Sequence, residues 1–329
     1  MYQSELKPNQ SRTLSLTFLV LIGLLGFTRP NASQAQTNAK SSAGYPAELL
    51  AAAKVKKLAE TKQWRRILFY SPRWFGREHG LVDNPAFYLA EDGKRDPDAE
   101  LAATLLAFFQ PLDQHPDQNS HPICLYPGRF HWLRQQLAID ATKLPQPKCQ
   151  AYEERIGQHT FEKVTLVFSS YYSGNPASML GHTFLRLHGK KASGEARMAI
   201  LDDIVNFAAN PDTGNPVLYA TKGLTGFFPG TFSMMPYFVK IQEYNNNESR
   251  DLWEYELNLS PDQVNLMMKV LWDVGRFHID YWYIDENCSY IILFLLEVAN
   301  PKLDLTDQHM TWVLPADTLR SVVSQPDIV

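Results

Sequence analysis

The sequence predicts an α+β protein, in which an N-terminal helical region precedes a domain that contains a β-sheet. Between residues 45 and 137, apolar residues recur three and four positions apart, which is the spacing of amphipathic helices. From Phe161 the period changes, because the β-branched and apolar stretch "FEKVTLVFSS" is typical of a strand. The stretch from Cys288 to Ala299, "CSYIILFLLEVA", is apolar on nearly every side, which indicates a helix buried in the centre of the domain.

Composition limits the classes of function that the chain can have. With 329 residues, of which 45% are hydrophobic and 12% aromatic, the chain can bury a sizeable core. Its formal charge of −4 is spread along the sequence without basic clusters. A nucleic-acid partner is therefore excluded, since such binders carry a concentrated positive surface.

The first 35 residues have the pattern of a signal peptide. Lys7 and Arg12 give a positive start, "LSLTFLVLIGLLGF" gives an apolar run, and "NASQA" gives small residues for cleavage. The alternative is a membrane anchor, but the run is shorter than the roughly 20 residues that span a bilayer. We expect an exported, periplasmic protein with a signal peptide over residues 1–35 and a polar linker over residues 36–44.

The helical region is expected over residues 45–155, with helices separated by Pro, Gly and Asp. Its helical stretches are "PAELLAAAKVKKLAE", "QWRRILFY", "DAELAATLLAFFQ" and "RFHWLRQQL".

The sheet-containing domain is expected over residues 156–329. After "FEKVTLVFSS", the stretches "HTFLRLH" and "RMAILDDIVNFAA" continue in an extended style, and another strand is expected from Arg250 to Leu259. A helix should begin after Ser260, because Pro261 suits the first helical position and Gln263 completes a capping box. The segment from Gly223 to Phe238, "GLTGFFPGTFSMMPYF", is interpreted as an apolar loop that either packs on the domain or contacts lipid.

Export changes the interpretation of the three cysteines, since neighbouring thiols outside the cytoplasm are usually oxidised. Cys124 and Cys149 bracket one short segment, whereas Cys288 lies far along the chain. We predict a Cys124–Cys149 disulfide and a free Cys288. The alternative for Cys288 is a small buried hydrophobic residue without chemistry.

Cys288 begins the buried helix, and Asn287 and Ser289 flank it. Unpaired N–H groups at a helix N-terminus favour thiolate over thiol, which is the setting of a nucleophile. A nucleophilic cysteine needs a base, and His182 in "NPASMLGHTFLRL" is the candidate. His188 lies six residues further on the same face of the same predicted strand and is its rival. A hydrogen-bonded structural role is the alternative for His182.

A third group should orient the imidazole, and the next strand offers Asn206, Asp202 and Asp203. We favour Asn206, because its aromatic and small neighbours suggest burial. No HExxH, CxxC or close His/Asp cluster is present, so neither a metal nor another cofactor is expected. Ser178 and Ser289 lack a G-x-S-x-G setting, which argues against a serine hydrolase.

The chain resembles the Lnb N-terminal periplasmic domain family. The resemblance is carried by stretches spread over residues 60–320, among them "QWRRILFY", "CLYPGRFHWL", "GNPASMLGHTFLRL", "DENCSYIILFLLE" and "LPADTLR". The family is similar to circularly permuted papain-like thiol enzymes of the NlpC/P60 and lecithin:retinol acyltransferase type, in which histidine precedes cysteine. The resemblance therefore implies an antiparallel sheet against the buried helix. It places the catalytic pair on His182 and Cys288, whereas Asn206 is our own assignment.

The resemblance also implies an activity, because family members are thought to N-acylate the amino-terminal cysteine of lipoproteins with a phospholipid as acyl donor. Cys288 would carry the acyl group as a thioester, and backbone N–H groups at the start of its helix would stabilise the oxyanion. Ser178, Gly181, Asn287 and Ser289 are expected to support the site, with Gly181 allowing close backbone approach.

Two other functions remain open at this stage, a papain-like peptidase or amidase acting on peptidoglycan or protein, and a non-catalytic envelope binding module. Members with the acyltransferase activity continue into membrane-spanning segments, whereas this sequence ends soon after "LPADTLRSVVSQ". Access to the membrane surface is therefore expected from an uncleaved signal, a membrane-protein partner or the apolar loop.

Overall fold

A computed structural model describes residues 32–71, 78–157, 159–172, 179–190, 198, 201–247, 250–309 and 312–329. Residues 42–329 form one compact unit, in which helices and an antiparallel sheet share a core. The fold is α+β, as predicted. Most of the predicted signal peptide lies outside the described residues.

The N-terminal region is mainly helical. Its helices are α1 (Ala32–Val55), α2 (Lys62–Ile67), α3 (Pro97–Ala107), α4 (Pro122–Leu125), α5 (Pro127–Leu137) and α6 (Gln150–Tyr152). Two short strands, β1 (Tyr70–Ser71) and β2 (His79–Gly80), pair antiparallel between α2 and α3. The segment 36–44, which was predicted to be a linker, lies within α1.

A six-stranded antiparallel sheet forms the centre of the second region. Its strands are β3 (Thr160–Ser169), β4 (His182–Lys190), β5 (Asp203–Ala209), β6 (Phe228–Pro236), β7 (Leu252–Leu257) and β8 (Ile279–Tyr281). They are ordered β7-β3-β4-β5-β6-β8, so that β4 and β5 lie in the middle. The helices are α7 (Pro216–Leu224), α8 (Tyr237–Ile241), α9 (Pro261–Val274), α10 (Cys288–Ala299) and α11 (Pro315–Val323).

The prediction of an apolar loop from Gly223 to Phe238 is wrong. The segment contains the end of α7, all of β6 and the start of α8. Strand β6 pairs with β5 along Asp203 to Ala209 and with β8 at Phe228 to Gly230, so its backbone is used inside the sheet. Gly and Pro within the strand hid its extended pattern from the sequence.

Helix α10 lies in the core, and all twelve of its residues are buried. It packs against β4 and β5 on one face of the sheet and against α2 and α9 on its other sides. Leu185 belongs to this main core, whereas Phe184 packs on the opposite face of the sheet in a smaller cluster with Tyr237 and Tyr244. The alternation of β4 thus separates two apolar layers.

Two local predictions are confirmed. Cys124 and Cys149 form a disulfide that closes the segment around α5. Ser260 caps α9 through the Gln263 N–H, and the Gln263 side chain accepts from the Ser260 N–H, which completes the capping box. In the described part of the chain, no helix is both long and apolar enough to cross a membrane.

Candidate active site

The site begins at the N-terminus of α10, where Asn287 acts as the helix cap. Its Oδ1 accepts from the N–H groups of Ser289 and Tyr290, at 3.1 and 3.2 Å. Its Nδ2 donates to the carbonyl of Val313 at 2.6 Å, which ties the helix start to the segment before α11. Asn is a preferred cap because its side-chain oxygen replaces the missing intrahelical acceptor. Asn287 therefore fixes where α10 begins, and with it the position of Cys288.

The thiol of Cys288 is free and buried at this helix start. Burial acts to raise its pKa, but the positive charge and hydrogen bond of His182 oppose this, with smaller contributions from the Thr183 N–H and the Tyr281 hydroxyl. The pKa of Cys288 is lowered from 9.0 to about 7. Charged and hydrogen-bonding neighbours thus outweigh desolvation, which is the condition for a reactive thiol.

His182 is the first residue of β4 and lies opposite Ser169 of β3. Its Nε2 donates to Asn206 Oδ1 at 2.5 Å, and Asn206 comes from the adjacent strand β5. This hydrogen bond leaves Nδ1 as the ring nitrogen available to the thiol. The ring stacks near Phe184, with centroids 6.1 Å apart, which holds its plane. His182, Asn206 and Cys288 therefore meet in one place, although they come from three elements.

Tyr281 was not identified by the sequence reasoning. It ends β8, is buried, and its hydroxyl oxygen accepts the N–H of Cys288 at 3.2 Å. The same hydroxyl donates to the thiol, and burial raises the pKa of Tyr281 so that it keeps its proton at neutral pH. Its ring stacks on Phe207, with centroids 5.8 Å apart. The aromatic run "YWY" seven residues before Cys288 resembles ordinary core sequence, so only the fold brings this hydroxyl to the thiol.

The expected oxyanion donors at the start of α10 are occupied. Side-chain oxygens of Asn287 and Tyr281 accept the first three N–H groups of the helix. The Tyr281 O–H is the donor that points at the reacting sulfur instead.

A narrow cleft of about 10 Å³ connects the thiol to the surface. Its walls are formed by Leu180, Gly181, Tyr281, Tyr283, Asn287 and Pro315 together with Cys288, and the surface that they expose inside the cleft is more polar than apolar. The cleft is only wide enough for a water-sized group, so a substrate must widen it before reaching the sulfur.

His188, the rival histidine, belongs to a separate polar cluster. Its Nε2 lies 2.7 Å from Thr165 Oγ1, and its Nδ1 lies 2.9 Å from Asp202 Oδ2. Asp202 also accepts from Arg186 at 2.9 Å, so it does not orient His182. Both ring nitrogens of His188 are therefore committed to structural partners on the sheet.

The supporting residues have distinct places. Gly181 has a φ of +85°, and a Cβ there would lie 2.9 Å from the carbonyl of Ser169, so the turn into β4 requires glycine. Ser289 is buried, and its hydroxyl donates to Asn287 Oδ1 at 2.8 Å. Ser178 lies outside the described residues. Among the described residues, no group of three His, Cys, Asp or Glu side chains is arranged to hold a metal ion.

The comparison with protein families gives two matches. The model of the Lnb N-terminal periplasmic domain matches residues 151–325, which include β3 to α11 and every residue of the site. The chain belongs to the Lnb N-terminal periplasmic domain family. A second model, a domain of unknown function (DUF7843), matches residues 56–136 of the helical region. No curated protein and no solved structure matched the chain. As an Lnb N-terminal periplasmic domain protein, the chain is assigned to the exported proteins of the cell envelope.

Proposed function

We propose that this protein is a thiol acyltransferase of the periplasm. It would move an acyl group from a phospholipid to the N-terminal amine of a lipoprotein through a thioester on Cys288. The observation that carries the proposal is the free Cys288 thiol at the start of α10, which meets His182 held by Asn206; these neighbours lower the pKa of the thiol to about 7. At pH 7 about half of such thiols are ionised, whereas an ordinary thiol with a pKa near 8.5 is only about 3% ionised.

The first half of the reaction uses three side chains. The Cys288 thiolate attacks the ester carbonyl, so that an S–C bond forms and the carbonyl oxygen becomes an oxyanion. The Tyr281 O–H, which already contacts the sulfur, is placed to donate to that oxyanion. The ester C–O bond then breaks, and protonated His182 gives its proton to the leaving alkoxide.

The second half regenerates the thiol. The α-amine of the acceptor attacks the thioester carbonyl, a C–N bond forms, and the C–S bond breaks. His182 takes the proton released by the amine, and Asn206 keeps the imidazole oriented through Nε2 in both halves. The order of His182 before Cys288 resembles that of the permuted papain-like thiol enzymes, which use the same division of roles.

An ester of a lipid suits the walls of the cleft. Leu180 and Pro315 are apolar, and the rings of Tyr281 and Tyr283 present further apolar surface beside the sulfur. The lining of the cleft as a whole is more polar than apolar, which suits the ester carbonyl, while these side chains offer contact to the first carbons of the acyl chain.

The test is to incubate the mature protein with phospholipid vesicles and to measure the mass of the intact chain. We expect a mass increase equal to one acyl group, which neutral hydroxylamine removes and which a peptide with an N-terminal diacylglyceryl cysteine discharges as an N-acylated product. Cys288→Ala should give no adduct and should keep its circular dichroism spectrum.

Two outcomes would contradict the proposal. An adduct with peptide or peptidoglycan substrates and none with lipid would make the protein a peptidase or amidase. Slow alkylation of Cys288 at pH 6, accelerated only by denaturant, would exclude thiol catalysis and leave a binding module.

A further inference from the structure

Exposed apolar side chains lie on the segments that form the Cys288 cleft and on those bonded to them. We name as the mouth rim the six side chains Leu180, Leu224, Phe227, Trp253, Ile284 and Trp312, all of which are exposed to solvent. Isolated exposed apolar residues are common on proteins, whereas several of them on the segments around one cleft are a candidate for a surface that another apolar body covers.

One side of the mouth rim lies at the end of β3, β4 and β7. Leu180 lines the cleft itself, and the next residue, Gly181, packs against the ring of Phe168. That ring lies 5.7 Å from the ring of Trp253 on the neighbouring strand. Phe168 is paired in register with Thr183, whose N–H bonds the Cys288 sulfur. Trp253, Phe168 and Thr183 are therefore neighbours across three strands, and Thr183 contacts the thiol.

The other side lies on the segments that hold the start of α10. Ile284 accepts the N–H of Val313 through its carbonyl at 2.9 Å, so Trp312 lies on the segment next to Ile284. The Val313 carbonyl in turn accepts from Asn287, the cap of α10. Trp312 is 69% exposed although it is only one residue from this buried hydrogen bond.

The same side continues onto α7. The N–H of Tyr283, a residue of the cleft wall, donates to the carbonyl of Gly223 at 2.9 Å. Leu224 follows directly, and Phe227 is 71% exposed. Helix α7 contains no acidic residue in its first turn, and its Lys222 is paired with Asp212 at 2.7 Å. The positive charge of Lys222, which lies near these exposed apolar side chains, is thus paired with the negative charge of Asp212.

We infer that the mouth rim is a membrane-docking surface, which inserts shallowly into the outer part of a phospholipid bilayer and so presents the cleft to lipid. The inference rests on the proposed function, because a lipid ester must reach Cys288 from a membrane. Two tryptophans together with Phe, Leu and Ile are the composition that settles at the interface between headgroups and acyl chains.

A bilayer fits this surface better than a protein partner does. The mouth rim frames the cleft on two sides, so a protein seated on it would close the route to the sulfur, whereas a fluid lipid surface would feed that route. Because Lys222 is already neutralised by Asp212, attraction between rim and lipid should come from apolar burial rather than from charge. Binding should therefore be insensitive to salt.

The test separates docking from chemistry by using the full mature chain with Cys288→Ala. Sedimentation with sucrose-loaded phosphatidylcholine vesicles should show binding at 0.15 M NaCl that persists at 0.5 M NaCl. Phe227→Ser with Trp312→Ser should reduce the partition coefficient at least tenfold. The matched control is Val55→Ser with Leu106→Ser, which removes exposed apolar side chains, 84% and 49% exposed, from α1 and α3 and should leave binding unchanged.

A second measurement keeps this inference distinct from the proposed function. With Cys288 intact, the rim double variant should form the thioester with a monomeric short-chain phospholipid at the wild-type rate and lose it with vesicles. No vesicle binding, unchanged binding of the rim variant, or a rim-dependent dimer in sedimentation velocity would each overturn docking to a bilayer. Equal loss with monomeric lipid would overturn it too, because the rim would then be part of the acyl site. If no lipid gives a thioester, the proposed function fails while the vesicle binding result still decides docking.

Discussion

Helices α5 and α10 both begin beside a buried ionisable group, but the two helix starts are built differently. At α5, the Asp273 carboxylate from α9 accepts the N–H groups of Gly128 and Arg129, each at 2.9 Å. The ionisable group is itself the cap. Arg129 also forms a buried ion pair with Glu100, so Asp273, Arg129 and Glu100 all have structural partners.

At α10 the caps are supplied by uncharged side chains. Asn287 and Tyr281 accept the first N–H groups of the helix, so Cys288 is not needed as an acceptor. Its sulfur lines a cleft instead. A buried ionisable group at a helix start thus does not indicate function by itself. It indicates function when other residues accept the N–H groups of the helix start, so that the ionisable group is left for chemistry.

The two groups also differ in the direction of their pKa shifts. Burial raises the pKa of Asp273 to about 7, against the opposing effects of Arg129 and the two N–H donors. The pKa of Cys288 is lowered to about 7, because burial, the largest single effect, is outweighed by the combined effects of His182, the Thr183 N–H and the Tyr281 hydroxyl. Asp273 is held towards its neutral form and Cys288 towards its reactive form.

The largest expected effect comes from removing the base at α10. His182→Ala should lower the rate of thioester formation by about 10³-fold, since general acid–base groups contribute roughly 10²–10⁴-fold. It should also raise the pKa of the thiol, measured from the pH dependence of alkylation. The control is His188→Gln, which removes the other histidine of the same strand face and should keep the rate within about twofold. Full activity of His182→Ala would move the base elsewhere.

A smaller effect on free energy is expected at α5, and it should concern stability alone. Asp273→Ala should reduce the free energy of unfolding by about 2–4 kcal/mol, because two buried N–H groups lose their acceptor and each costs roughly 1–3 kcal/mol. Asp273→Asn, which keeps an acceptor oxygen, should lose less. Urea denaturation measures both variants. A large fall in the thioester rate of folded Asp273→Ala would remove the contrast between the two helix starts.

In alkylation, which forms no oxyanion, the smallest effect should follow the loss of one hydroxyl. Tyr281→Phe removes a donor that lowers the pKa of Cys288, so the thiol pKa should rise above about 7. Because the thiolate is the form that reacts, the alkylation curve should shift to higher pH while its plateau stays. Tyr283→Phe, from the same cleft wall, is the control and should leave the curve in place. An unchanged curve for Tyr281→Phe would exclude its hydroxyl from the site.

Much of the local structure could be predicted from the sequence. The capping box at Ser260 and the buried helix at Cys288 depend on residues that are near one another in the chain, and the disulfide follows from the number and spacing of three cysteines in a chain expected to be exported. The prediction of a loop from Gly223 to Phe238 was wrong because it used only local signals. Gly and Pro favour a loop, but pairing of this segment with β5 makes it a strand. Strand β6 exists because its neighbours supply the hydrogen bonds.

The sequence by itself determined that the chain has an unpaired cysteine at the start of an apolar helix and a histidine at the start of a strand. Spacing, caps and cysteine number are properties of neighbouring residues, and they can be seen without a fold. The tertiary structure decided between the alternatives that the sequence left open, because His182 rather than His188 meets the thiol and Asn206 rather than Asp202 bonds its ring, and it alone showed that Tyr281 takes the helix N–H. The His182–Asn206 contact joins residues 24 apart in the chain, and even Tyr281, seven residues from Cys288, meets it only because β8 and α10 pack together. The pKa of a buried thiol depends on which charges and donors lie within a few ångströms of it.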